Sequence, residues 1–260
     1  GLIDSHCHLD HFSDEELPVL LNTAKEAGLS GMVTIGTRLS HAPEQKRLTG
    51  FGSPDLRIWC TIGTHPDHVE ETPLPVVQDI VALADTPEVI GIGETGLDYF
   101  HGQEAVRPLQ QESFRRHIQA ARELDIPVII HARQADADVA SILEEEAAIG
   151  AFPILLHCFA SGPELARRVV ALGGYVSFSG IATFPKCDEI RGVARELPIE
   201  RILVETDAPY LAPVPQRGKR NQPAFVAHTS RRIAQERGLE EAAFVAQTTQ
   251  NFQRLFRKAR

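Results

Sequence analysis

Five apolar runs in this chain finish on a histidine or an acid, and these are the side chains placed to do chemistry. Val89-Ile-Gly-Ile-Gly-Glu-Thr-Gly-Leu-Asp-Tyr99 reads as a buried strand that delivers Glu94 at its end, and Ile3 to His8, Val128 to His131, Ile154 to His157 and Ile202 to Asp207 end in the same way. An ionised carboxylate costs several kcal/mol to bury unless a cation or a set of donors compensates it. Gly91, Gly93 and Gly96 let the backbone approach closely around Glu94. Imidazoles and carboxylates gathered at strand ends suit a divalent metal, and packing alone gives no reason for so many strands to end on them.

His6 and His8 stand two apart in Asp4-Ser-His-Cys-His-Leu-Asp10, so on a strand both face one side and can grip one cation while Cys7 points away. Asp4 and Asp10 share that parity and are read as supporting or capping groups. Glu205 and Asp207 share a face of the last apolar strand. Asp207 is the candidate general base, positioned to take a proton from an activated water, and the plain alternative is that both acids cap the next helix. Asp98 either orients a ligand histidine or caps a turn. Arg133, shortly past His131, is a candidate clamp for phosphate or carboxylate, because a guanidinium grips such groups through paired hydrogen bonds. His65, in Thr61-Ile-Gly-Thr-His-Pro66, is a candidate contact to substrate or leaving group, or an ordinary loop histidine. His11, His41, His68, His101, His117 and His228 carry no spacing argument and are read as surface or structural.

Short apolar runs alternate with longer stretches of helical spacing, the pattern of βα units. Strands are expected near Leu2–His6, Gly31–Gly36, Leu56–Ile62, Val89–Glu94, Pro127–His131, Pro153–His157, Tyr175–Ser179 and Ile202–Asp207. Gln110–Leu124 aligns Phe114, Ile118, Ala121 and Leu124 on one helical face. Ser161-Gly-Pro-Glu164 has capping-box spacing, and Pro75, Pro108 and Pro223 suit first helical turns. Two helices follow the eighth strand, the last running from about Glu240 to Lys258 with a packing stripe of Phe244, Thr248, Phe252 and Leu255 or Phe256. These elements predict a TIM (β/α)8 barrel, a single domain over 1–260 with extra C-terminal helices, working at the carboxyl ends of its strands. A doubly wound open sheet is the second choice, and it does not naturally bring the ends of five separate strands to one point.

With 260 residues, 43% of them hydrophobic, the chain can bury a full core. No apolar run approaches the ~20 residues needed to cross a bilayer, and the first residues carry no basic stretch leading into an apolar one, so a soluble, cytoplasmic protein with no membrane partner is expected. Cys7, Cys60, Cys158 and Cys187 lie far apart with no CxxC pair, which suggests neither a disulfide framework nor a thiolate zinc site. A net charge of −9 argues against a broad electrostatic clamp on DNA. The basic segment Pro213-Val-Pro-Gln-Arg-Gly-Lys-Arg220 leaves room for a local phosphate site.

Taken together, Asp4-Ser-His-Cys-His-Leu-Asp10, Gly93-Glu-Thr-Gly-Leu-Asp-Tyr99, His131-Ala-Arg133, His157-Cys-Phe159 and Glu205-Thr-Asp207 resemble the motifs of the TatD family of metal-dependent deoxyribonucleases, within the amidohydrolase superfamily. Arg220-Asn-Gln-Pro223 and Thr249-Gln-Asn-Phe252 carry the resemblance past the last barrel strand, so that it runs in order from Ile3 to the end. It implies a TIM barrel, two divalent cations and hydrolysis of phosphodiester bonds, generally as a DNase or 3′-to-5′ exonuclease. It implies that His6, His8 and Asp207 hold one ion, that His131 and His157 hold the other, and that Glu94 bridges them. Substrate contacts are expected at Arg133, His65, Arg220 and Asn221. The chain departs from the family pattern at Asp67, where a histidine often follows His65-Pro66, at the extra Ala160, and at Gln222, where Glu is common. None of these is an expected ligand, but all bear on substrate choice.

Mixed imidazole and carboxylate ligands suit zinc, manganese, iron or nickel, while magnesium prefers oxygen throughout. The expected reaction is attack on phosphorus by a water that the cations acidify, with Asp207 as base and Glu94 essential to the centre. Two other functions compete. A similar centre hydrolyses small amides, lactones or phosphotriesters, for which a closed apolar pocket rather than an open, positively edged groove is expected. Alternatively, metal serves only to stabilise a non-catalytic interaction protein, in which case ligand replacement lowers the melting temperature and abolishes no activity.

Overall fold

The computed structural model describes residues 1–259. Eight strands form one sheet in sequential order, each parallel to its neighbour: β1 (Leu2–Cys7), β2 (Leu29–Thr34), β3 (Arg57–Ile62), β4 (Val89–Asp98), β5 (Val128–Arg133), β6 (Ile154–Leu156), β7 (Tyr175–Phe178) and β8 (Ile202–Val204). Parallel neighbours need a crossover, which helices supply: α1 (Leu17–Glu26), α2 (Ala42–Leu48), α3 (Val77–Ala84), α4 (Arg107–Leu124), α5 (Asp136–Ile149), α6 (Pro163–Ala171) and α7 (Asp188–Glu196), with α8 (Val226–Glu236) and α9 (Glu241–Leu255) after β8. The sheet curls into a nearly closed TIM barrel.

Closure between β1 and the chain beyond β8 is stitched rather than laddered. Cys7 bridges Ala208, the Asp207 amide donates to the His6 carbonyl at 2.8 Å, and the His8 amide donates to the Ala208 carbonyl at 2.9 Å. The fully buried Asp4 reinforces the seam. Its carboxylate accepts from the Thr206 amide at 2.9 Å, the Thr206 hydroxyl at 2.5 Å and the His6 amide at 3.2 Å.

Alternating strand residues separate two apolar layers. One lies between the sheet and the helices, and the other fills the barrel with Val33, Ile90, Ile129, Leu155 and Leu203. The amino-terminal mouth is plugged by α9: Phe252 packs 5.4 Å from Trp59 and 4.6 Å from Phe256, centroid to centroid, and both phenylalanines are buried. Phe244, Thr248 and Leu255 are buried along the same helix, as their spacing predicts, although the helix stops at Leu255 rather than Lys258.

Strand lengths differ from expectation where the site lies. β4 continues past Glu94 to Asp98, pairing Gly96 with His131 and Asp98 with Arg133. Two glycines make this extension possible. Gly93 has φ +144°, and a Cβ there would lie 2.6 Å from the Ile129 carbonyl oxygen; Gly96 has φ +131°, and its Cβ would lie 2.1 Å from the His131 carbonyl oxygen. β6 and β8 are shorter, ending at Leu156 and Val204, so His157 and Asp207 stand on turns beyond the ladder. Two helix-start expectations also fail. Gly162, not Ser161, precedes α6, with its amide taken by the Asp136 carboxylate at 2.9 Å, and Pro75 lies outside α3.

Candidate metal centre

The carboxyl ends of the strands bring five imidazoles around one carboxylate. Glu94 is buried, and its two oxygens face different groups. Oε1 lies 3.2 Å from His6 Nε2 and 3.8 Å from His8 Nε2; Oε2 lies 2.9 Å from His157 Nε2, 3.2 Å from His131 Nδ1 and 3.3 Å from His65 Nε2. Asp207 closes the first group, with Oδ1 3.2 Å from His8 Nε2 and 3.4 Å from His6 Nε2. His157 belongs to both sides: its ring stacks on His6 at 3.8 Å, and it also offers a donor atom within 4.8 Å of donors on His6, Glu205 and Asp207.

Hydrogen bonds on the far side of each ring set which nitrogen faces the centre. His131 Nε2 donates to Asp98 at 2.9 Å, His157 Nδ1 donates to Glu205 at 3.2 Å, and His8 Nδ1 donates to the Ile35 carbonyl at 3.3 Å. Each inward nitrogen is therefore the one that would offer a lone pair to a cation once its own proton is displaced. His65 is wired the other way. Its Nδ1 accepts from the Asp67 amide at 3.0 Å, which leaves Nε2 to carry an N–H toward Glu94. His6 is fully buried, and among the described residues neither of its ring nitrogens has a hydrogen-bond partner of good geometry. A buried imidazole left so costs about 1–3 kcal/mol per unmade bond. A cation at Nε2 would meet that need, and the donor set of nitrogen and carboxylate oxygen fits a borderline or hard divalent ion.

Acids and imidazoles shift one another's ionisation across the centre. Burial pushes the Glu94 carboxyl up, but the charge of His157, the nearness of His65 and the bond from His131 hold it well below the usual range. Burial likewise opposes charging of His8 and His131, and the bonds to Asp207 and to Asp98 outweigh it, raising each to about 9. His6 is lowered by burial and by His157. Cations entering this cluster compete with protons for the same nitrogens.

A cavity of about 1050 Å³ opens over the centre, with Arg133 at its edge. Arg133 has no carboxylate partner among the described residues; its guanidinium lies 3.8 Å over the Phe100 ring. Arg220 and Asn221 do not line this cavity. Arg220 is spent on Glu16, the His11 carbonyl and the Phe12 ring, while buried Asn221 donates to the carbonyls of Thr206 at 2.9 Å and Tyr210 at 2.6 Å. In this structure the polar groups of both residues hold the turn after β8 and the segment it packs against.

Asp98 does both things expected of it, since Oδ2 meets His131 while Oδ1 accepts the amides of Phe100 at 3.0 Å and His101 at 2.9 Å. Glu205 holds His157 and also accepts the Cys158 amide at 2.7 Å. Of the two readings given for His117, surface or structural, the second holds: it is buried, donating to the Ser113 carbonyl at 2.7 Å and accepting the Thr64 amide at 2.9 Å, so it braces the loop that carries His65. No spacing signal marks a histidine of that kind. Backbone geometry at the centre is equally invisible in sequence: Cys158 and Asp207 have φ of +46° and +56°, in the left-handed region that non-glycine residues enter at a cost.

Comparison with known proteins agrees with this geometry. A family model described as TatD related DNase matches residues 3–257. The chain is 40% identical over 259 residues to the uncharacterized metal-dependent hydrolase YcfH of Escherichia coli K12, spanning 98% of this chain and 95% of that protein. It is 34% identical over 251 residues to the 3′-5′ ssDNA/RNA exonuclease TatD of Pantoea vagans, spanning 92% and 93%. Among solved structures, the TatD homolog YjjV of Escherichia coli K12 superposes with a TM-score of 0.86 at 24% identity, over 98% of both chains. At that identity the likeness supports the fold alone.

Proposed function

The chain belongs to the TatD-related DNase family of metal-dependent hydrolases, and from that premise we propose that it is a divalent-metal-dependent phosphodiesterase that trims DNA from the 3′ end. The observation that carries the reading is the division of Glu94, one oxygen toward His6 and His8 and the other toward His131 and His157. A carboxylate so divided suits a bridge between two cations. In this reading His6, His8 and Asp207 hold one ion, and His131 and His157 hold the other. Such ions supply Lewis-acid charge and acidify water when bound.

The chain's own groups complete the chemistry. Asp207 accepts the proton of the attacking water, its backbone held by the His6 carbonyl. Arg133, free of any carboxylate, takes the non-bridging phosphate oxygens, where charge grows during attack. His65 presents its N–H toward the same space and can serve a phosphate oxygen or the leaving group. The name of the Pantoea vagans relative supports a nucleic-acid substrate. The open, arginine-edged cavity also fits a polymer better than a small apolar ester.

The test is digestion of end-labelled single-stranded and duplex DNA by metal-verified protein across a panel of divalent ions. Stepwise shortening from the 3′ end, abolished by chelation, is expected. Intact DNA with every ion, alongside turnover of a lactone or phosphotriester, would replace this reading with a small-ester hydrolase.

A further inference from the structure

Tyr210 lines the cavity and Phe100 lies behind Arg133 at its edge, and both rings face solvent on clamped backbones. Tyr210 is 48% exposed, yet its amide donates to the Asp207 carbonyl at 3.0 Å and its carbonyl accepts from buried Asn221 at 2.6 Å. Its ring centroid lies 6.1 Å from that of His8 and 5.6 Å from that of His11, edge-on to both. Phe100 is 52% exposed and carries the Arg133 guanidinium, while the Asp98 carboxylate fixes its amide. A large ring held in water contributes nothing to the core, and rigid positioning lowers the entropy cost of stacking another ring on it.

We propose, on the phosphodiesterase reading above, that Tyr210 is a platform on which a base next to the scissile phosphate stacks, while Arg133, seated over Phe100, holds that phosphate from the other side of the cavity. The occupant is an unpaired nucleic-acid strand. Every base has a π-face, so stacking tolerates any sequence. A paired base has its faces covered by neighbours and must first be unstacked, which makes a duplex the poorer substrate. The close placement of Tyr210 beside His8 puts the platform about one ring's reach from the centre.

The experiment compares wild type, Tyr210→Ala and Tyr210→Trp on a single-stranded oligonucleotide carrying 2-aminopurine at its 3′ end, reading both cleavage and fluorescence. Alanine is expected to raise KM about tenfold with kcat within about threefold, in line with the loss of one base-aromatic stack, and tryptophan to restore KM. Binding should quench 2-aminopurine in wild type and not in the alanine variant. An alanine variant with wild-type KM and wild-type quenching overturns the platform. Quenching by a wild type that cuts nothing keeps the platform and overturns the phosphodiesterase reading, so the two fail separately.

Discussion

The two mouths of this barrel are made by the same eight strands and finished with opposite kinds of side chain. At the amino-terminal mouth, Trp59, Phe252 and Phe256 close the interior by apolar packing. At the carboxyl-terminal mouth, buried imidazoles and acids meet at about hydrogen-bond distance, His6 lacks partners of good geometry for both ring nitrogens among the described residues, and Asp207 sits in left-handed backbone. The difference separates two duties. One end gains stability from burial, and the other keeps groups that are costly to bury and useful for that reason.

That contrast can be broken from either end. Asp207→Asn keeps a residue that tolerates the left-handed conformation and removes the proton acceptor, so kcat on single-stranded DNA should fall by roughly 10²–10⁴-fold with a melting temperature close to wild type. An Asn variant with wild-type kcat and verified metal content would remove Asp207 from the chemistry. Phe252→Ala should do the reverse, costing roughly 3–5 kcal/mol in denaturant unfolding while leaving turnover per folded molecule unchanged. If that variant unfolds like wild type, α9 is not the plug it resembles.

His117 sharpens the comparison because it serves the fold from beside the active mouth. Burial lowers it to about 4, and the bond to Ser113 only partly opposes this. An unfolded histidine titrates near 6.5, so the neutral ring's contribution is complete above that pH and is lost as pH falls toward 4. At about 1.4 kcal/mol per pH unit this amounts to about 3 kcal/mol. His117→Gln, which can still accept from Thr64 and donate to Ser113, should flatten the fall of melting temperature between pH 6.5 and 4.5. An unchanged slope would show that other groups govern acid unfolding. The smallest effect is expected from Glu205→Gln, which loosens the orientation of His157. Metal affinity by competition with a chelator should weaken about 10–100-fold, the usual consequence of losing an outer carboxylate, and wild-type affinity would leave Glu205 a purely structural acid.

Much of this was legible because barrels report themselves through repetition. Alternating apolar runs gave the eight strands, and the same runs ended on the side chains that the fold gathers around Glu94. What escaped depends on contacts between distant segments. The Gly162 amide is capped by Asp136 at the start of α5, so the spacing of Ser161 and Glu164 misled. Arg220 and Asn221 have suitable chemistry for a substrate contact, but local carbonyls and Glu16 claim it first. The early ends of β6 and β8 follow from left-handed turns at Cys158 and Asp207, for which no residue pattern exists, since neither is glycine. Tyr210 and Phe100 left no trace because an exposed aromatic has no periodic partner.

The seam between β1 and the segment after β8 has a consequence for biosynthesis. His8 precedes Asp207 by 199 positions in the chain and so leaves the ribosome well before it, and Asp4 cannot latch Thr206 until both exist. The two parts of the group proposed to hold the first ion therefore stay apart until the barrel's last strand is made. A growing chain carries the two histidines without the carboxylate that closes the group, which joins them only when the final barrel strand is threaded home.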